Sequence, residues 1–311
     1  MQLLYFFEKM RMPWLDRVML VFTEFGGEML FIALAIVALW CVSKRAGYYM
    51  LSVGLVGTVL NQFLKLAFRI SRPWVQDPNF TIVEAARADA GGYSFPSGHT
   101  QNAAAALVAP ALVAPALLAK KKWLKITLIV VYALVAISRM YLGVHTPLDV
   151  GVSIVVGLAL VFLMRPLFKE ENVTPRRMYT LFFCMAGLAA LYLIYVSVYP
   201  FPADIEAENL TEGVKNAYLL FFAVLGMIVA YWMDQKFVHF TVEASIPAQI
   251  VKAVLGLALT MGIRAALKAP LNALFNGAAI ANGIRYFCMV VFAAGVWPMS
   301  FPFICKLLPK K

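Results

Sequence analysis

Charge is scarce in this chain. Only 14% of its 311 residues are Asp, Glu, Lys or Arg, where soluble domains carry about 25%. Histidine is scarcer still, with three copies: His99, His145 and His239. The four cysteines (Cys41, Cys184, Cys288, Cys305) lie in or beside apolar segments without metal-ligand spacing, so they read as free thiols and exclude a cysteine-based metal site. The first seventeen residues, MQLLYFFEKMRMPWLDR, lack a cleavable-leader pattern because their charges follow the apolar residues. They read instead as a short amphipathic helix lying at a membrane interface.

Apolar sequence fills the space that charge leaves, with 62% of residues hydrophobic. Runs long enough to cross a bilayer recur along the chain. Nine spans are expected, near 25–43, 47–68, 99–119, 123–141, 149–167, 178–199, 214–233, 247–268 and 284–304. No soluble domain fits between them. The expected fold is an all-α polytopic transmembrane helix bundle, with a six-span core at 1–200 and three extra C-terminal spans at 201–311. The net charge of +11 suits Lys and Arg collecting on the cytoplasmic side better than a nucleic-acid partner. Lys44 and Arg45, Lys120 to Lys122 with Lys125, and Arg165, Lys169, Arg176 and Arg177 mark the odd-numbered connections as cytoplasmic. Asp204, Glu206, Glu208 and Glu212 mark the sixth as external. Arg264, Lys268 and Arg285 run against this trend.

Three polar clusters then fall on one face, the outer one. They are Lys65–Pro73 (KLAFRISRP), Pro96–His99 (PSGH) and Ser138–Asp149 (SRMYLGVHTPLD). Each has a structural explanation. Lys65, Arg69 and Arg72 could be snorkelling anchors. Ser97 could simply cap a helix, and Thr146-Pro147-Leu148-Asp149 reads as a capping box with proline at the first helical position. His145 could be an interfacial histidine with no task.

Together they form a phosphate site. Ionisable groups at membrane depth are expensive and are kept for function. Lys65, Arg72 and Arg139 supply positive charge against a phosphoryl dianion. The backbone amides of Ser97, Gly98 and His99 add donors at a helix N-terminus. Gly98 lets the backbone approach a ligand closely. Two histidines suit two-step transfer, with His145 as nucleophile oriented by Asp149 four residues on, and His99 as general acid. If 145–149 is helical, His145 and Asp149 share a face.

Lys65, six residues, Arg72-Pro73; Pro96-Ser97-Gly98-His99; Ser138-Arg139, five residues, His145, three residues, Asp149: this order resembles the three-part signature of the type-2 phosphatidic acid phosphatase superfamily. The resemblance covers about residues 25–170. It implies an integral-membrane phosphatase without cofactor or metal, with His145 phosphorylated, Asp149 orienting it, His99 as acid, and Lys65, Arg72, Ser97, Gly98 and Arg139 holding phosphate. The family core has six spans, so the extension from about 205 departs from it, as in sphingosine-1-phosphate phosphatases and glucose-6-phosphatases.

The leading expectation is hydrolysis of a lipid phosphate or pyrophosphate at the outer face of a bacterial plasma membrane, by a protein able to form homo-oligomers. A soluble ester such as a sugar phosphate is the second enzymatic reading. Vanadium haloperoxidases share the signature but are not multi-span proteins. A lipid transporter or scaffold with a vestigial site would be expected to show a degenerate histidine or arginine, and none is seen.

Overall fold

Three of the long helices begin on one local device, a hydroxyl cap with proline in the first two helical positions. Thr146, Thr174 and Ser245 accept the amides of Asp149, Arg177 and Ala248, ahead of Pro147, Pro175 and Pro247. Proline has no amide to satisfy there, and the cap side chain takes one of the orphan donors.

The computed structural model describes residues 1–113 and 122–309. The end of the expected third span, Lys120 and Lys121, and the terminal Lys310 and Lys311 lie outside the described residues. The fold is an all-α polytopic bundle. The helices are α1 (Gln2–Lys9), α2 (Pro13–Glu24), α3 (Glu28–Val42), α4 (Lys44–Phe68) and the short α5 (Pro73–Gln76). α6 starts at Gly98 and is followed to Val113; α7 (Lys122–Tyr141), α8 (Pro147–Met164), α9 (Pro175–Val198), α10 (Ala207–Met233) and α11 (Ile246–Ala266) come next. α12 (Lys268–Leu274), α13 (Ala279–Val291) and α14 (Phe301–Leu307) complete the chain. Among the described residues, seven helical segments are long and apolar enough to cross a membrane, and they match seven of the nine expected spans. The first expected span is α3, joined to α2 through a 47° bend. This is a multi-pass membrane protein.

The helices gather into two compact units. The first comprises Met1–Ile32, Tyr49–Pro166 and Pro200–Gly213; the second comprises Ala33–Tyr48, Leu167–Tyr199 and Val214–Lys311.

In the first unit, α2 packs along α7, while α6 packs on α7 and α8. Gly26 allows the close approach of α6, because a Cβ there would run into the His99 carbonyl oxygen. The amphipathic start of the chain is helical. α1 buries Leu4 against Phe80 and Ile82, while Phe6 and Trp14 stay exposed. Tyr5 donates to Asp77 (2.6 Å), and Arg11 donates to the carbonyls of Thr81 (2.8 Å) and Tyr141 (3.1 Å). These bonds tie the long 69–97 connection down beside α7.

In the second unit, Trp40, Trp297 and Phe301 form a buried aromatic cluster. The Trp40 indole donates to Ala293 O (2.8 Å) and the Trp297 indole to Lys252 O (3.1 Å), so neither buried N–H is left unmade. Lys44 pairs with the buried Asp234 at 2.6 Å. Arg264 and Arg285 lie over the Tyr286 ring.

Candidate active site

The site is assembled in the first unit from the ends of α4, α6, α7 and α8 and the 69–97 connection. Lys65 is the last lysine of α4, buried, with its ammonium donating to the carbonyls of Tyr93 and Gly91. Arg72 caps α5 and spreads its guanidinium over four partners. Nε donates to Gly92 O (3.0 Å), NH2 to Gly91 O (2.6 Å), and NH1 to Val144 O (3.0 Å) and His145 Nε2 (3.0 Å). The polar 69–97 stretch therefore holds the cations in place through its carbonyl oxygens.

His145 occupies the turn between α7 and α8, and its amide bonds to Arg139 O (3.3 Å). The helix begins two residues later, at Pro147, so the expected shared helical face with Asp149 does not form. The two side chains meet by another route. Asp149 is the third residue of α8, and its carboxylate folds back over the cap, bringing Oδ2 to 3.5 Å from His145 Nδ1. Asp149 completes the capping box, and the same carboxylate stands near His145 without a hydrogen bond to Nδ1. Its Oδ2 accepts the Thr146 amide (2.7 Å) and the Ser94 hydroxyl (2.5 Å), which leaves Oδ1 buried without a partner among the described residues.

A guanidinium keeps all its protons, so the Arg72–His145 contact requires a lone pair on Nε2. The imidazole proton then sits on Nδ1, facing Asp149. Burial, and after it the charges of Arg72, Arg139 and Lys65, push the His145 pKa well below its ordinary value. These influences favour the neutral ring, and Nδ1, 3.5 Å from Asp149 Oδ2, makes no hydrogen bond among the described residues.

Ser97 is the cap of α6. Its hydroxyl accepts from the Thr100 amide (3.4 Å) and hydroxyl (3.0 Å), and its own amide donates to Asp149 O (3.2 Å). Of the three amides expected to face a ligand, that of Ser97 is therefore already used. A Cβ on Gly98 would meet only Asn61 Oδ1, at 3.7 Å, so packing does not demand glycine there.

Lys65, Arg72, Gly98, His99 and His145 line one cavity of about 150 Å³. Ser97, Arg139 and Asp149 are not among its lining residues. Arg139 is fully buried; NH1 donates to Thr23 Oγ1 (2.6 Å), while Nε and NH2 have no partner among the described residues. Sequence reasoning missed Thr23, Ser94, Asn61 and Gln101. Asn61 lies one turn before Lys65 and donates to Pro96 O (3.2 Å) and Gln101 Oε1 (3.1 Å), a polar spacing inside an apolar span that could have flagged it. Arg69, outside the signature, faces a neighbouring groove with Ser71, Tyr93, Asp204 and Glu206.

Comparison with known proteins matches these elements. The PAP2 superfamily model aligns with residues 45–172, and that of the PAP2 superfamily phosphatase transmembrane extension with 218–306. An undecaprenyl-diphosphatase of Bacillus subtilis is 32% identical over 153 residues, 48% of this chain and 72% of that protein. Phosphatidylglycerophosphatase B of the same organism is 34% identical over 165 residues, 50% of this chain and 76% of that protein. Human glucose-6-phosphatase 3 is 24% identical over 306 residues, 93% of this chain and 81% of that protein. No solved structure matches. With Lys65, Arg72, Gly98, His99 and His145 lining one cavity and two bacterial phosphatases aligned across most of their length, the chain belongs to the PAP2 superfamily.

Proposed function

We propose that this protein is a metal-independent phosphatase for a lipid phosphate or pyrophosphate, working through a phosphohistidine at His145. The observation that carries the reading is His145 at a cation-lined cavity, its Nε2 3.0 Å from Arg72 NH1 and its Nδ1 3.5 Å from Asp149 Oδ2. A nucleophilic imidazole needs that tautomer. Relatives named for undecaprenyl diphosphate and phosphatidylglycerophosphate favour a lipid.

In the first step Nε2 attacks phosphorus, a P–N bond forms, and the bond to the leaving oxygen breaks. His99, on the cavity wall and protonated once the bound phosphoryl dianion offsets the cations around it, gives that oxygen its proton. Lys65, Arg72 and the unpaired donors of Arg139 hold the phosphoryl oxygens, with the Gly98 and His99 amides at the start of α6. In the second step His99 takes a proton from water, the water oxygen attacks phosphorus, and the P–N bond breaks. Asp149 stabilises the positive ring in between. Ser97 serves by fixing the turn rather than by touching phosphate. The amphipathic N-terminal helix lies at the membrane interface, with the site on the outer face and the substrate's tails in the bilayer.

A soluble phosphate monoester is the second reading, favoured by the alignment with glucose-6-phosphatase 3 along nearly the whole chain. Phosphate release in detergent with excess chelator decides between them. The expected result is release from a lipid substrate, unaffected by chelator and lost in His145→Ala. Release from glucose 6-phosphate alone would favour the second reading, and loss of activity with chelator would overturn metal independence.

A further inference from the structure

Arg264, Lys268 and Arg285 line no part of the catalytic cavity, and all three belong to the second unit. α11 and α12 run on as one helical stretch, Ile246–Leu274, so Arg264 and Lys268, four residues apart, share a face. α13 returns beside α11 and carries Arg285 in its second turn. The guanidiniums of Arg264 and Arg285 both lie over the buried Tyr286 ring, 5.6 and 5.7 Å from its centroid.

These charges have no counter-ion in their own stretch of chain. After Glu243 the sequence contains neither Asp nor Glu. No salt bridge reaches Arg264, Lys268 or Arg285 among the described residues. The Nε atoms of both arginines are buried there without a hydrogen-bond partner, and Arg285 commits one NH2 donor to Asn282 Oδ1 (2.5 Å). A snorkelling arginine puts its charged head into water. A buried guanidinium N–H left unpaired costs free energy, which an anion bound to it recovers.

The surroundings point to where such an anion comes from. α12 has no buried residue, and Leu274 at its end is 72% exposed. On α11, Val254, Leu255 and Leu259 are exposed as well. In a multi-pass membrane protein such apolar surface faces acyl chains, so an anion meeting Arg264 and Arg285 comes attached to a lipid.

We propose that Arg264, Arg285 and Lys268 bind the phosphate of an anionic phospholipid, at a site separate from the catalytic cavity. The two guanidiniums, held on one ring, donate to the phosphate oxygens, and the exposed Lys268 adds a point charge. A zwitterionic lipid offers the same phosphate but brings its own cation, which three basic groups repel. The cations that run against the charge pattern of the connections are then placed for a head group.

The test titrates the full-length protein in detergent with short-chain phosphatidylglycerol, short-chain phosphatidylcholine and orthophosphate. Affinity is read from the shift in unfolding temperature. The wild type should bind phosphatidylglycerol more tightly than the other two. Arg264→Gln with Arg285→Gln should weaken phosphatidylglycerol about thirtyfold, and Lys268→Gln alone about fivefold. Lys268 is exposed, so that single variant decides the matter if the double variant does not fold. Phosphatidylcholine bound as tightly as phosphatidylglycerol would overturn the proposal, as would phosphatidylglycerol affinity unmoved by the variants. Orthophosphate bound as tightly as the lipid, and lost in the same variants, would make this a free-phosphate site and overturn the lipid assignment.

Discussion

The proposed chemistry turns on His145, and its surroundings set its protonation. It is buried, and Arg72 donates to its Nε2 at 3.0 Å. Its folded pKa lies below the unfolded value of about 6.5. The sign follows: the fold favours the neutral ring, so acidification through 6.5 toward the folded value costs stability, and nothing is lost above 6.5. With only three histidines in the chain, nitrogen-15 histidine spectra can be assigned by single substitutions. The His145 ring should stay neutral and Nδ1-protonated across about pH 5–8, the window in which an ordinary histidine titrates. Arg72→Ala should raise its pKa toward that window, with burial still holding it below the ordinary value. A ring that titrates near 6.5 in the wild type would contradict the tautomer argument.

At the scale of the element, the start of α8 does two jobs with one carboxylate, and substitutions separate them. Thr146→Ala removes the cap that Asp149 N uses (3.3 Å) and should cost about 1 kcal/mol of stability while leaving activity nearly intact. Asp149→Asn keeps the shape but removes the charge facing the ring. It should lower kcat by at least about 100-fold, well beyond its effect on thermal stability. Equal losses of activity in the two variants would mean that the cap alone positions His145.

This element also shows where sequence reading succeeds and stops. The Thr-Pro start, the Ser97 cap and the order of Lys65, Arg72, His99, Arg139, His145 and Asp149 are local and legible, because caps and proline act within one turn. The pairing of His145 with Asp149 was legible, but its route was not, since proline sets the helix start two residues after the histidine. Thr23, 116 residues from Arg139, reaches it only because α2 packs on α7. Ser94, 55 residues from Asp149, reaches it only because the 69–97 connection folds back over the site. No local pattern encodes such contacts.

For the whole molecule, the topology proposed from the charged connections has the cavity opening on the outer side. The acidic segment that carries Glu212 then lies on that side with it. A cysteine at the exposed Glu208 should react with a membrane-impermeant maleimide on intact cells, and one at the exposed Arg177 only after lysis. The reverse pattern would place the cavity on the cytoplasmic side and exclude outer-leaflet substrates. The extra helices match a transmembrane extension found with PAP2 phosphatases, and the first of them begins in the unit that holds the cavity.

The central claim is that the phosphoryl group passes through His145, and trapping tests it most directly. Purified protein is quenched within the first turnover on a terminally labelled lipid phosphate and digested, and the label is located by mass spectrometry. The account predicts an acid-labile, base-stable phosphohistidine at His145, absent from His145→Ala and longer-lived in His99→Ala, where water activation is impaired. Turnover without label on any histidine, or label on a residue other than His145, would contradict it.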